Sequence, residues 1–206
     1  MSSDFQLTEQ QIAVVKSTIP LLESAGSDIT EYFYKRMFTA NPELQHIFNM
    51  SHQKTGSQQL ALFNAIAAYA KNIDNIPVIL GAVERIANKH TSLNIQPEHY
   101  PIVGHHLLET LRELAGDAFT PEVEDAWTAA YALLAHVFIS KEEAIYSDNQ
   151  QQQGGWRGAR KFRLIEKRIE SELVKSLVFE PVDQQSVITY QPVSYTHLTL
   201  PTTPYV

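Results

Sequence analysis

The sequence predicts a mostly helical domain over residues 1–150, followed by an incomplete antiparallel β segment over residues 151–192. In the first part, apolar residues recur every three or four positions, which is the spacing of helices with one buried face. A glutamine- and glycine-rich stretch at residues 150–155 interrupts this pattern and marks a boundary. Beyond it the apolar period changes to two, which is typical of strands. These observations predict six or seven helices before the boundary.

Capping and breaking residues mark where the predicted helices begin and end. Thr8 with Gln11 forms a capping box, and Pro20 is expected to kink the first helix because proline lacks the N–H of the helical ladder. Ser27 or Asp28 can cap the second helix. Gly26 closes the first helix and Gly116 with Asp117 ends the fifth, so the predicted helices span residues 8–25, 29–38, 58–73, 76–90, 97–115 and 120–145.

Three short segments beyond the boundary show the alternating pattern of strands. They lie at residues 162–167, 173–179 and 187–190. Three strands with so little apolar surface rarely fold alone. We therefore expect residues 151–192 to be the start of a second domain that this chain does not complete.

Composition and charge exclude several classes of function. The net charge of −7 provides no attraction for nucleic acid or for an anionic membrane. The absence of cysteine excludes disulfides, thiolate zinc sites and thiol catalysis. No apolar run approaches the roughly 20 residues that span a bilayer, and the N-terminus lacks the pattern of a secretory signal. We therefore expect a cytoplasmic protein without a transmembrane segment.

One histidine continues an apolar stripe where a hydrophobic residue would be expected. In the helix predicted at residues 76–90, apolar side chains at helical spacing lead to His90, and residues 91–94 follow as a predicted turn. Such a histidine is either a packing residue satisfied by a local hydrogen bond or a ligand directed at the interior. Spacing alone leaves both interpretations open and favours the packing role.

Two further polar residues share faces with apolar neighbours. Gln58 precedes Leu62 by one helical turn, and Tyr34 lies beside Phe33. Each by itself is typical of a cap or of a hydrogen-bonded core residue. A helical interior with one imidazole and a few polar groups is nevertheless what a haem pocket requires, because iron takes a neutral nitrogen ligand and distal polar groups control its chemistry.

Other metal-binding or catalytic arrangements find no support in the sequence. His105 and His106 are adjacent, so their side chains diverge by about 100° on a helix and cannot share a metal. The sequence contains no HExxH, P-loop, dinucleotide-binding or GxSxG motif. Glu142 and Glu143 are by default a solvated helix face.

Six segments carry a close resemblance to a known family. The sequence resembles the globin domain of bacterial flavohaemoglobins, the nitric oxide dioxygenases, over residues 5–150, and an all-α globin fold around haem is implied. A weaker resemblance, through residues 154–156 and the strands, is to the start of an FAD-binding barrel of the ferredoxin-reductase type. The segments are IPLL (19–22), YFYKRMF (32–38), NPELQHIFNMS (41–51), ALFNAIAAYA (61–70), ANKHTSLNIQPEHYPIVGHHLL (87–108) and DAWTAAYALLAHVFI (125–139).

The resemblance implies a role for each candidate site residue. His90 matches the proximal ligand of a haem b iron. A carboxylate on the second ring nitrogen would make the imidazole more electron-donating and favour oxygen activation over carriage. The other matches are Tyr100 and Glu142 as hydrogen-bond partners of the proximal imidazole, Tyr34 and Gln58 as the distal polar pair, Leu62 as the distal apolar residue, and Phe48 as the aromatic that wedges the haem.

The implied reaction combines oxygen and nitric oxide at the haem to give nitrate, with electrons from NAD(P)H through FAD in the full-length family protein. This chain departs from the family pattern at Val193. Residues 193–206 are therefore expected to be non-native or disordered, no complete flavin or nicotinamide site is expected, and an external reductase would have to supply electrons. The alternatives are an oxygen-storing or oxygen-sensing globin, and a cofactor-free helical interaction protein.

Overall fold

The computed structural model describes residues 6–48 and 56–190. These residues divide into two compact units, the first comprising residues 6–48, 56–87 and 95–141, and the second residues 88–94 and 142–190. The tail predicted at residues 193–206 lies outside the described residues, as does most of the loop predicted before Gly56. Each unit is described below by itself.

The predicted helical architecture is confirmed. The described residues contain seven α-helices and three short 3-10 helices, and none of these helices combines the length and apolarity needed to cross a membrane. The α-helices are α1 (Glu9–Ser17), α2 (Ile19–Ala25), α3 (Asp28–Ala40), α4 (Ser57–Lys71), α5 (Leu80–Ser92), α6 (His99–Ala115) and α7 (Pro121–Gln151), and the 3-10 helices are Pro42–His46, Ile76–Ile79 and Gly116–Ala118.

The first predicted helix is divided in two at its proline. The capping box is confirmed, since Thr8 Oγ1 accepts from the Gln11 N–H (3.1 Å) and Gln11 Oε1 accepts from the Thr8 N–H (3.0 Å). Pro20 cannot donate a hydrogen bond to the preceding turn, so α1 ends at Ser17 and Pro20 lies in the first turn of α2, where its missing N–H costs little. Ser27 occupies the N-cap position of α3, but its side chain makes no capping hydrogen bond there.

The first unit has a core of buried apolar side chains. Val15, Phe33 and Met37 are at most 1% exposed and belong to a cluster to which α1, α2, α3, α4, α6 and α7 all contribute. A buried hydrogen bond also joins α4 to α7, since the Tyr69 hydroxyl donates to the carbonyl oxygen of Ala130 (2.7 Å). This core fixes the positions of α3 and α4, which carry three of the candidate site residues, Tyr34, Gln58 and Leu62.

His106 on α6 is a buried histidine whose tautomer follows from its neighbours. The Asn41 amide nitrogen donates to Glu43 Oε1 (2.9 Å), so Asn41 Oδ1 is the acceptor that faces His106 Nε2 at 3.0 Å. His106 is therefore protonated on Nε2. Its buried Nδ1 has no hydrogen-bond partner among the described residues.

We expect the free energy of unfolding to fall as the pH drops below about 6.5 because of His106. Burial, followed by the positive charges of His105 and Arg36, lowers the pKa of His106 below that value, and Glu109 opposes the shift. The unfolded chain therefore binds this proton more readily than the folded chain. Urea unfolding between pH 7.5 and 5 should show the slope, and His106→Gln should flatten it. Exposed His46, changed to Gln, should leave the slope intact, and an equal flattening in both variants would contradict the assignment.

The second unit contains a two-stranded antiparallel sheet formed by β1 (Phe162–Ile169) and β2 (Lys175–Pro181). The pairing runs from Phe162 opposite Pro181 to Ile169 opposite Lys175, with an irregularity between Leu164 and Glu166. Two of the three predicted strands are thus confirmed as an antiparallel segment.

The third predicted strand, at residues 187–190, is wrong within the described residues. The chain before it is held by Arg160, whose guanidinium donates to the carbonyl oxygens of Gln185 and Ser186 (3.0 Å each) and to the carboxylate of Asp183. Backbone acceptors that a neighbouring strand would use are therefore occupied by a side chain. An alternating pattern could not reveal this competition.

Candidate functional site

His90 and Glu142 form a hydrogen-bonded pair in the second unit. His90 Nδ1 lies 2.7 Å from Glu142 Oε1, and the two residues are 52 positions apart in the chain. The Glu142 side chain is only 4% exposed, whereas that of His90 is 32% exposed. Burying a carboxylate without a partner is costly, so the contact with His90 helps to accommodate Glu142 in the interior. The ring nitrogen facing the carboxylate is the one expected to carry a proton.

The helix that carries His90 begins and ends later in the chain than its sequence pattern predicts, because residues Ile76–Ile79 form a separate 3-10 helix. We expected it to end at His90, but α5 continues to Ser92 and the chain reverses at Asn94, which has a φ of 57°. Asparagine is one of the few residues that tolerates this left-handed conformation. His90 therefore lies in the last turn of α5, with its backbone still helical.

The default interpretation of Glu142 and Glu143 as a solvated face is wrong for Glu142 and correct for Glu143. The Glu143 side chain is 53% exposed and accepts two hydrogen bonds of 2.6 Å from Arg157. The same guanidinium lies 5.2 Å from the ring centroid of Tyr146. Burial, followed by the negative charge of Glu142, raises the pKa of Tyr146 to about 12, so this phenol remains neutral at physiological pH. Glu142 is thus flanked by a neutral buried ring one turn away.

An aromatic cluster surrounds Tyr34 in the first unit. Tyr34 is 6% exposed on α3, and its ring stacks on Phe38 one turn later with centroids 5.7 Å apart. Phe48 approaches both rings edge-on, at 5.8 Å from Tyr34 and 5.3 Å from Phe38. Phe38 and Phe48 therefore cover the Tyr34 ring, which accounts for its burial.

Gln58 and Leu62 lie one turn apart at the start of α4. Leu62 is partly buried and packs against the core of the first unit. Gln58 Oε1 is a buried acceptor that has no hydrogen-bond partner among the described residues. An unsatisfied buried oxygen of this kind costs about 1–3 kcal/mol and calls for a ligand, water or other donor.

Tyr100 lies in the first unit and is anchored through its backbone. Its carbonyl oxygen accepts a hydrogen bond from the Tyr131 hydroxyl (2.7 Å), and its ring stacks on Phe138 at 6.4 Å. Burial raises the pKa of Tyr131, so this hydroxyl stays protonated and able to donate. Tyr131 lies at a helically spaced position of α7, and nothing in that spacing marks it as the anchor of Tyr100. The hydrogen bond from Tyr100 to the proximal imidazole remains a prediction.

The residues present have the chemistry that a haem requires. A haem iron needs one protein nitrogen, and no group of three metal-ligating side chains that could hold a different metal occurs in the described ranges. His90 offers an imidazole oriented by a carboxylate. Tyr34, Phe48 and Leu62 offer aromatic and apolar surface. Gln58 offers a buried oxygen that has no hydrogen-bond partner within residues 6–48 and 56–190.

Comparison with known proteins agrees with this chemistry. Residues 31–138 match the globin family model. The chain is 64% identical over 189 residues to a flavohemoprotein of Vibrio cholerae, a match that covers 92% of this chain and 48% of that protein. The chain therefore spans about half the length of this curated relative.

Two solved structures are similar to the fold described above. A bacterial globin from Campylobacter jejuni is 38% identical with a TM-score of 0.65, and the match covers 68% of this chain and 99% of that one. A flavohemoglobin from Malassezia yamatoensis, solved with bound FAD and heme, is 34% identical with a TM-score of 0.75, over 87% of this chain and 47% of that one. The similarity thus extends past the helices into the β segment.

Proposed function

Since the chain belongs to the globin family, we propose that this haem globin binds haem b through His90 and converts oxygen and nitric oxide to nitrate when it is supplied with electrons. Tyr34, Gln58, Leu62 and Phe48 are assigned to the distal side of the haem. Tyr100 and Glu142 are assigned to the proximal imidazole. When bound, the haem supplies the redox-active iron at which the two gases react.

The observation that carries the proposal is the contact between His90 and Glu142. An oxygen carrier needs only a neutral imidazole, whereas a buried carboxylate 2.7 Å from Nδ1 makes the ring a stronger electron donor. We assign Nε2 to the iron because Nδ1 faces the carboxylate. Glu142 keeps the proton on Nδ1 and also fixes the rotation of the ring.

On the distal side, each residue has a physical task that its contacts support. Tyr34 is held by Phe38 and Phe48, so its hydroxyl can act as a pre-oriented donor to a ligand. Gln58 contributes a second polar group, whose oxygen is otherwise unused among the described residues. Leu62 and Phe48 exclude water from this side. The electrons would come from an external reductase, or from the FAD- and NAD(P)H-dependent domain that the resemblance implies for the full-length family protein.

Reconstitution of the full chain with haem tests the proposal. The protein is reduced chemically, equilibrated with oxygen and mixed in a stopped-flow instrument with one equivalent of nitric oxide. We expect rapid conversion to about one nitrate per haem. Haem binding with slow or incomplete nitrate formation would favour an oxygen-storing or oxygen-sensing globin instead. Failure to develop a Soret band would favour the cofactor-free interaction protein.

Neighbouring carboxylates provide a matched test of the proximal assignment. Glu142→Gln should retain haem binding but lower the frequency of the ferrous iron–histidine stretch. A neutral amide accepts a weaker hydrogen bond from the Nδ1 proton than a carboxylate does, so the imidazole becomes a weaker electron donor. Glu143→Gln removes the same charge one residue away on an exposed side chain and should leave that frequency unchanged. Resonance Raman spectra of both variants decide the matter. Equal shifts in the two variants would mean that net charge, rather than contact with His90, is responsible.

A further inference from the structure

Thr30 joins the two helices that carry the distal polar residues. It is fully buried on α3, and its hydroxyl lies 2.8 Å from the carbonyl oxygen of Gln59 on α4 and 2.8 Å from that of Ser27. One hydroxyl hydrogen is therefore shared between two carbonyls. The Ser27 carbonyl also accepts from the backbone N–H groups of Thr30 and Glu31 (3.0 Å each). Loss of the hydroxyl would remove the bond that this side chain makes to Gln59 of the other helix.

The position of this bond relates it to the candidate site. Thr30 and Tyr34 are four residues apart on α3 and so share a face of that helix. Gln59 directly follows Gln58 in the first turn of α4. That turn begins at Gly56, a left-handed residue (φ 74°) whose position provides no side-chain cap. The bond from Thr30 consequently fixes the part of α4 that displays Gln58.

We propose that Thr30 is a positioning residue that sets the separation between Tyr34 and Gln58 through its hydrogen bond to the Gln59 carbonyl. This inference rests on the proposed function. Thr30 does not need to touch a ligand to act in this way. Because Gln58 Oε1 has no partner among the described residues, the orientation of that side chain depends on the backbone from which it extends.

Another buried threonine offers a matched control. Thr110 on α6 is also fully buried, but its hydroxyl oxygen has no hydrogen-bond partner among the described residues. Changing threonine to valine replaces a hydroxyl by a methyl of similar size at both positions. The two substitutions therefore differ in whether a bond between helices is lost.

The experiment compares Thr30→Val, Thr30→Ser and Thr110→Val in the full chain reconstituted with haem. Carbon monoxide is the probe, because its stretching frequency in the ferrous complex responds to the electric field of nearby polar groups. We expect a shifted or split band in Thr30→Val, and the wild-type band in Thr30→Ser and Thr110→Val. If Thr30→Val does not fold, Thr30→Ala removes the same bond with less bulk.

A wild-type band in Thr30→Val, together with a lower unfolding midpoint, would show that Thr30 is only structural and would overturn the proposal. A shifted band in Thr30→Ser would do the same, because that variant keeps the hydroxyl. If wild-type protein takes up no haem, the proposed function fails. Crystal structures of the wild type and Thr30→Val then decide the inference, because an unchanged distance between Tyr34 and Gln58 overturns it and a changed distance supports it.

Discussion

His90→Ala is expected to abolish specific haem ligation and to lower stability at the same time. The substitution removes the imidazole assigned to the iron, so the ferrous iron–histidine stretch should disappear and haem affinity should fall by orders of magnitude. It also leaves Glu142, which is 3% exposed, without the ring nitrogen that lies 2.7 Å away. Loss of this contact removes one hydrogen bond to a buried charged group, and such a bond contributes about 1.5–3 kcal/mol. Haem titration and urea unfolding of the apoprotein measure the two effects separately.

The control for this prediction is His46, an exposed histidine outside the helix that carries His90. His46→Ala should bind haem as the wild type does. Added imidazole should restore a Soret band of wild-type position in His90→Ala, because the free ligand can occupy the space of the deleted ring. Undiminished haem affinity in His90→Ala would refute the ligand assignment and return His90 to the packing role that its spacing alone favours.

The helices could be predicted because their signals are local. The capping box of Thr8 and Gln11 lies within four residues, and Pro20 acts on its own turn, so neither requires knowledge of the rest of the chain. The division of one predicted helix into α1 and α2 follows from the same proline. The sequence predicts a kink at Pro20, whereas the structure has two separate helices.

The partner of His90 could not be predicted from local pattern. Glu142 and Glu143 are adjacent identical residues on α7, and composition and periodicity treat them alike. They differ because Glu142 meets His90 across 52 positions of chain while Glu143 meets Arg157. The family resemblance identifies Glu142 as a partner of the imidazole. Its burial, however, depends on tertiary contacts that no local pattern contains. The role of Thr30 is hidden for the same reason, since a threonine at the start of a helix carries no sign of a bond to another helix.

The strand predicted at residues 187–190 is wrong within the described residues, and a side chain holds the backbone immediately before it. Its alternating pattern describes side chains, whereas Arg160 acts on the carbonyls of Gln185 and Ser186 just before it. Arg160 is itself enclosed, with only 9% of its side chain exposed and its guanidinium 5.1 Å from the Trp156 ring centroid. Strand propensity depends strongly on tertiary context, and contacts of this kind cannot be read from an alternating pattern.

Gly104→Ala is expected to lower the free energy of unfolding by about 1–3 kcal/mol, the usual cost of overpacking a core. A Cβ at Gly104 on α6 would lie 2.4 Å from Cε1 and 2.7 Å from Cδ1 of Tyr131 on α7. The Tyr131 ring cannot move away freely, because its hydroxyl donates to the Tyr100 carbonyl at 2.7 Å. Gly81→Ala on α5 is the control. The nearest atom to its added Cβ is Arg85 Nη1 at 4.0 Å, so better helix propensity should raise stability by up to about 1 kcal/mol.

A double-mutant cycle with Tyr131→Phe identifies the cause of that cost. Without its hydroxyl the ring is released from Tyr100 and can yield to the new methyl group, so Gly104→Ala should cost less in the Tyr131→Phe background than in the wild type. Urea unfolding of the four proteins gives the coupling energy directly. If the effects of Gly104→Ala and Tyr131→Phe on the free energy of unfolding are strictly additive, the new methyl group does not clash with the Tyr131 ring. The loss of stability would then have to arise elsewhere on α6. A favourable coupling would instead establish that Gly104 exists to admit the side chain that holds Tyr100 in place.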